Sequence, residues 1–182
     1  TVRNLYYQAQ LNWVRSFGKH NVTAMGLFSR QENARGSVMP TYREDWAFRT
    51  TYNYADRYFI EYNGAYNGSE KFSPENRFAF FNSGAIGWMI SEEPFMKFFR
   101  EKKIVDMLKV RASYGEIGSD QLGPDPFDSS RRWLYMNQWA YGGHTTMDLN
   151  QTQSIYTWYR ESAIGNKDIQ WEVVKKLNVG ID

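Results

Sequence analysis

Much of this chain alternates apolar and polar residues with a period of two. In 107–118, Leu108, Val110, Ala112 and Tyr114 fall on one side of an extended backbone, and Lys109, Arg111, Ser113 and Gly115 on the other. Successive side chains of a strand point to opposite faces, so the stretch predicts a strand with one greasy and one wet face. The same alternation predicts strands over 5–16, 22–30, 46–54, 57–66, 78–90 and 171–181, seven candidates in all. Phe17-Gly-Lys-His-Asn21 and Ala55-Asp56 read as tight turns, 31–45 and 67–77 as polar loops, and 116–168 as a long excursion rich in Gly, Pro and aromatic residues. The period changes at 91–103, where Phe95, Phe98 and Phe99 recur at helical spacing. Ser91 as a cap, Glu92 and Glu93 at the start and Lys102 and Lys103 at the end predict a short amphipathic helix there.

Which solvent the greasy faces meet is the next question. The connections run short, long, short, long, helical and very long. A soluble sandwich has no reason to sort its loops in this way, whereas a transmembrane barrel has short turns on the periplasmic side and long loops outside. Tilted spanning strands need ~9–11 residues, which the candidates match. Aromatic residues near strand ends (Trp13, Trp46, Tyr54, Tyr58, Trp88 and Trp171) suit interfacial girdles. The expected fold class is therefore all-β, a segment of a large antiparallel transmembrane barrel of about seven strands with one short periplasmic-side helix. A soluble β-sandwich or barrel is the competing architecture.

Composition sharpens this picture. Aromatics make up 18% of the 182 residues, against 42% for all hydrophobic types, and mean hydropathy is -0.67. Side chains with a dry body and a wet tip thus supply much of the apolar surface. A net charge of +2 without a clustered basic face argues against nucleic acid. The absence of cysteine excludes a disulfide framework and a cysteine zinc site. No apolar run approaches the ~20 residues of a spanning helix, so any membrane would be crossed by strands. Both ends read as cut, which suggests a piece of a longer protein.

No catalytic constellation, metal site or cofactor motif stands out, and the expectation is a protein that is not an enzyme. His20 and His144 read as surface residues of a turn and a loop. Glu92-Glu93 reads as helix-start charge rather than an acid/base pair. Gly115-Glu-Ile-Gly118 is a weak phosphate-cradle signal, and Ser119–Asp125 lacks calcium-loop spacing. The stretch 127–159 is the candidate ligand or partner surface. Trp133, Tyr135, Trp139, Tyr141, Trp158 and Tyr159, with Phe127 and Tyr156, offer flat faces that stack on sugar rings or pack on peptide. Arg131, Arg132, Asp148 and Asn150 can hydrogen-bond. The plainer reading is that these aromatics only pack the loop or dock a partner protein.

An ordered series of short motifs resembles SusC/RagA-type TonB-dependent outer-membrane transporters. Tyr52-Asn-Tyr-Ala-Asp-Arg-Tyr-Phe59 is similar to a hairpin turn of that family, and Asn67-Gly-Ser-Glu-Lys-Phe72 to a loop usually written Asp-Gly-Ser-Ser-Arg-Phe. Phe81-Asn-Ser-Gly-Ala-Ile-Gly-Trp88 resembles Phe-Pro-Ser-x-x-x-Gly-Trp, and Glu93-Pro-Phe-Met-Lys97 the helical turn after it. Leu108-Lys-Val-Arg-Ala-Ser-Tyr-Gly115, Ile169-Gln-Trp-Glu172 and Asn178-Val-Gly-Ile-Asp182 complete the order. Asn67, Glu70 and Asn82 depart from the family pattern.

The resemblance implies a roughly 22-stranded barrel, of which residues 1–182 are an incomplete part without the plug domain. It implies TonB-powered import of oligosaccharides or peptides through the outer membrane of a Gram-negative, Bacteroidetes-like bacterium. The implied partners are a SusD-like surface lipoprotein, the TonB complex acting through the missing N-terminal region, and the lipid bilayer. Arg49, Glu61, Lys109, Arg111, Glu172 and Lys176 would then face the lumen and pair across strands or touch the plug. A soluble secreted carbohydrate-binding module and a plug-less porin-like barrel are the alternatives.

Overall fold

The computed structural model describes residues 2–36, 38–102, 107–123, 131–146 and 153–182. It contains β1 (Val2–Phe17), β2 (His20–Arg35), β3 (Val38–Tyr54), β4 (Tyr58–Ser69), β5 (Phe78–Met89), α1 (Lys97–Glu101), β6 (Lys109–Ser119), β7 (Gln138–Thr146), β8 (Gln153–Ala163) and β9 (Glu172–Ile181). Strands β1 to β6 and β9 form one antiparallel sheet in that order, while β7 and β8 pair separately. The chain divides into a sheet unit (1–69, 78–119 and 171–182) and a loop unit (70–77 and 120–170). No helix among the described residues is long and apolar enough to cross a membrane, which says nothing about crossing by strands.

Register carries the alternation unbroken across the sheet unit. Leu11, Gly26, Phe48 and Gly64 stand opposite one another in turn, as do Tyr52, Ile60, Ile86, Ala112 and Val179. One face is therefore apolar from β1 to β9, and it is open: Leu11 is 77% exposed, Ile86 61% and Leu177 71%. The other face carries Asn12, Met25, Arg49, Asn63, Ser83, Gly115 and Lys176 at matching positions. Along β3 the apolar rows run from Trp46 to Tyr54, close to the ~9–11 residues of a tilted span. Above them the same face turns polar: Arg30 stands opposite Glu44, and Lys175 lies 3.2 Å from Glu116.

Several expectations are corrected. The stretch 31–45 is not a loop. β2 and β3 continue through it, joined only by residues 36 and 37, so the second connection is short. Its residues are polar because the strands extend beyond the apolar rows, where both faces are wet; the Arg3–Glu32 ion pair at 2.7 Å is one result. The segment 90–101 is two 3₁₀ turns, Ile90–Glu92 and Pro94–Met96, neither with a side-chain cap, followed by the five residues of α1. Ser91 is buried inside the first turn, and its N–H donates to the Leu108 carbonyl at 3.2 Å. Trp171 is not a girdle residue: at 6% exposure it packs edge-on against Phe81, ring centroids 5.5 Å apart. His20 begins β2, its Nδ1 2.7 Å from the Tyr52 hydroxyl, and His144 lies in β7.

The turn at Ala55-Asp56 is as expected. Both residues have positive φ, 53° and 56°, within the three-residue connection 55–57, and the Arg57 N–H donates to the Tyr54 carbonyl at 3.0 Å. Asn53 stabilises it by accepting the Asp56 N–H at 3.0 Å and donating to the Asp56 carboxylate at 2.6 Å.

Candidate functional site

Each unit offers one candidate surface. In the loop unit, the segment 70–77 is tied to later residues by a few polar contacts. Lys71 Nζ donates to the Asp120 carbonyl at 3.1 Å, and Ser73 Oγ and Asn76 Nδ2 both donate to the Lys167 carbonyl at 3.1 Å. Phe72 is fully buried among them. Glu70, a departure from the family motif, meets Arg132: Nε is 2.7 Å from Oε1, and Nη2 donates to Oε2 at 2.9 Å. The Arg132 guanidinium also lies 4.5 Å from the Trp133 ring. Arg132 is thus committed to structure rather than presented to a ligand. Trp133 and Tyr135 are half-buried in the turn at 131–136, 6.3 Å apart.

β7 and β8 carry the exposed aromatics. Tyr141 stands opposite Tyr159, their rings edge to face at 5.8 Å. Trp139 on the same strand is 64% exposed. A register shift after Tyr141 puts Trp158 opposite Gly143. Its indole covers Gly142 so closely that a Cβ there would sit 2.3 Å from the ring. Trp139, Tyr141 and Tyr159 form a shallow, exposed aromatic surface able to stack on a planar or ring-shaped solute, while Trp158, next to Tyr159 along β8, covers Gly142 on the other face. Arg131 is exposed and rests its guanidinium against Gly123, whose φ is +102°. Tyr156 lies in β8; Phe127, Asp148 and Asn150 lie outside the described residues.

In the sheet unit, all six charged residues singled out by alternation lie on the polar face. Arg49 Nη2 donates to Glu61 at 2.8 Å, and Asn63 holds the other Glu61 oxygen at 2.9 Å. Arg111 Nε is 3.1 Å from Asp182. Lys109 Nζ lies 5.1 Å from the centre of the Phe59 ring. Glu172 and Lys176 share this face on β9, opposite Ser119 and Gly115. A concavity of about 490 Å³ opens between these groups, lined by Thr23, Thr51, Asn53, Glu61, Lys109 and Arg111. Alternation alone could have found the uncharged members, but only register shows that they converge.

Sequence reasoning also missed a cluster at the short-turn end. Tyr58 Oη donates to Glu93 Oε1 at 2.6 Å, Trp88 Nε1 donates to the same oxygen at 3.2 Å, and Arg57 Nη1 is 3.6 Å from Oε2. The Tyr58 and Trp88 hydrogen bonds, with Arg57 charge behind them, hold the Glu93 carboxyl below its ordinary range. Glu93 is buried, and it fastens the 3₁₀ turns to the neighbouring hairpin. Among the described residues no group of three or more acidic or imidazole side chains could hold a metal.

The two-faced sheet, its hairpin turns and its barrel-like register define a segment of an antiparallel β-barrel. Comparison with known proteins gives its kind. No protein-family model matches the chain. It is 30% identical over 98% of its length to the TonB-dependent receptor SusC of Bacteroides thetaiotaomicron, and 25% identical over 98% to the TonB-dependent receptor P3 of Formosa agariphila. It spans 19% of the length of each. Its fold matches the RagAB peptide importer in the closed-closed state with TM-score 0.74 at 16% identity, covering 98% of this chain and 21% of that one. The chain thus resembles, in sequence over nearly its whole length and in fold, a segment of the barrel of SusC/RagA-like TonB-dependent transporters. These relatives are named as receptors and transporters, not as enzymes.

Proposed function

We propose that this chain is part of the wall of an outer-membrane importer of oligosaccharides or peptides in a Gram-negative bacterium. The face bearing Leu11, Phe48, Ile60, Ile86, Ala112 and Val179 meets lipid; the face bearing Arg49, Glu61, Lys109, Arg111, Glu172 and Lys176 meets the lumen and a plug from elsewhere in the protein. The aromatic surface of β7 and β8, with Trp133, Tyr135 and Arg131 nearby in sequence, contacts substrate or a SusD-like lipoprotein, and TonB supplies the energy. Transport of this kind is binding plus gated movement, so the reading requires no catalytic residue.

The observation that carries the reading is the continuous exposed apolar face across seven paired strands. A water-soluble protein rarely leaves such a surface open, and a lipid-facing barrel wall requires it. Deletion of the gene should abolish growth on one class of polymer, glycan or peptide, as sole nutrient. Complementation with Trp139→Ala/Tyr159→Ala in the full-length protein should restore surface levels but only part of the uptake. Unimpaired growth on every glycan and peptide source would reject import. A monomeric, cooperatively melting 1–182 fragment in buffer would instead favour a soluble carbohydrate-binding module.

A further inference from the structure

The segment between β5 and β6 carries an apolar surface that the transport reading does not use. Phe95, Phe98 and Phe99 are 64%, 55% and 42% exposed in three consecutive positions of helical spacing. Phe98 and Phe99 contact edge to face at 5.7 Å, and Lys102 Nζ lies 4.2 Å above the Phe98 ring. Lys97 is exposed beside them. None of the described residues of the sheet unit covers these rings, and so short a helix cannot hold itself together by propensity alone.

The position of this segment is fixed by Glu93. Its carboxylate is bound by the Tyr58 hydroxyl and the Trp88 N–H, and both of those residues belong to the apolar face of the sheet. The segment therefore leaves the barrel wall at the short-turn end of that face, where Tyr54, Tyr58 and Trp88 stand in a stacked row. Aromatic bodies with polar tips mark the level at which hydrocarbon gives way to headgroups. Exposed phenyl rings continuing from that row, with ammonium groups beside them, have the chemistry of an interfacial anchor: rings below the phosphates, lysines reaching up to them.

We infer that Pro94–Met96 and α1 form a membrane-interface anchor, which seats Phe95, Phe98 and Phe99 among the phospholipid headgroups at the short-turn rim, with Lys97 and Lys102 on the phosphates. This rests on the apolar face being the lipid face. The Glu93 cluster acts as the tether that turns the segment toward the bilayer.

The test uses the full-length transporter on a cysteine-free background, with an environment-sensitive fluorophore on Phe98→Cys, Ile86→Cys or Ser113→Cys. Each protein is reconstituted in phosphatidylethanolamine–phosphatidylglycerol vesicles containing a nitroxide either on the headgroup or deep in the acyl chain. The Phe98 label should be quenched about twofold more by the headgroup nitroxide than by the deep one. The Ile86 label should show the reverse order, and the Ser113 label neither. Quenching at Ile86 with none at Phe98 overturns the anchor and leaves the barrel reading intact. No quenching at Ile86 means that the lipid-face assignment is wrong, and the anchor falls with it. Assembly is checked by heat-dependent gel mobility, and Phe95→Cys replaces Phe98→Cys if the latter fails to assemble.

Discussion

Among the described glycines, Gly118 is the one where an added Cβ would meet its nearest neighbour at the shortest distance. It sits near the end of β6, where the chain leaves the sheet for the 120–170 excursion; Trp171 stands where the chain returns. A Cβ on Gly118 would lie 1.9 Å from Phe81 Cζ and 2.4 Å from both adjacent ring carbons. The ring would have to retreat about 1.5 Å to reach ordinary contact, and it has nowhere to go, since Phe81 is 5% exposed and wedged against Trp171. Overpacking of this kind costs about 1–3 kcal/mol. Gly118→Ala in the full-length protein should therefore speed amide exchange at residues 117–119 and 172–174 by roughly 5- to 150-fold. Phe81→Ala alone, which opens a cavity instead, should cost about 3–5 kcal/mol locally. The double variant should exchange no faster than Phe81→Ala, because the clash partner is gone. Unchanged protection in Gly118→Ala, or single effects that add within about 0.5 kcal/mol, would refute the packing argument.

Three further outcomes follow from the same geometry. Lysine at Val110 or Ala112 of the full-length protein should impair assembly by about 2–4 kcal/mol near mid-bilayer, and Ser113→Lys should be mild; equal tolerance in a membrane-assembly assay would reverse the face assignment. Because Glu93 has a depressed folded pKa, its stabilising contribution is complete above the ordinary carboxylate range and is lost as pH falls through the folded value. The melting-temperature gap between wild type and Glu93→Gln should shrink on acidification, and a gap that widens would contradict the cluster. Glu70→Ala would leave the Arg132 guanidinium, whose side chain is 10% exposed, without its carboxylate. The local cost should be about 3 kcal/mol, read as faster exchange over 131–136, with Glu70→Ala/Arg132→Met restoring protection.

The barrel wall was legible in the sequence because one physical rule, alternation, produces it at every strand. It located seven strands, the turn at Ala55-Asp56 and the common face of Arg49, Glu61, Lys109, Arg111, Glu172 and Lys176. Alternation fails where both faces are wet, which is why the continuation of β2 and β3 through 31–45 reads as loop. It also misses β7 and β8, whose aromatics break the period at a register shift. Contacts between residues distant in sequence leave no local trace. Glu93 with Tyr58, Glu70 with Arg132, and Phe81 with Trp171 become visible only when register brings the strands together. Each involves a residue whose sequence role was read locally, as helix-start charge, motif departure or girdle.

The polar face also bears on where an importer of this type would discriminate between solutes. Arg49 is already bound by Glu61, Arg111 by Asp182 and Arg43 by Asp45 at 2.9 Å. These pairs are half-exposed and worth about 0–1 kcal/mol each to the fold, but they cancel most of the field a passing charge would feel. A solute or plug group that engages Arg49 must displace a carboxylate held from two sides, by Arg49 and by Asn63. Self-neutralised pairs, hydroxyls and amides hydrate a solute without selecting it by charge, which leaves Lys109, Glu172 and Lys176 as the groups of this face through which charge would act. On the proposed reading, the exposed rings of Trp139, Tyr141 and Tyr159 add recognition by stacking. Stacking on ring faces favours sugars and aromatic or proline-bearing peptides over small ions, and it does so without strong dependence on salt. On this argument uptake by the Trp139→Ala/Tyr159→Ala protein should lose discrimination among polymers of equal charge, whereas Glu61→Gln should leave that discrimination unchanged.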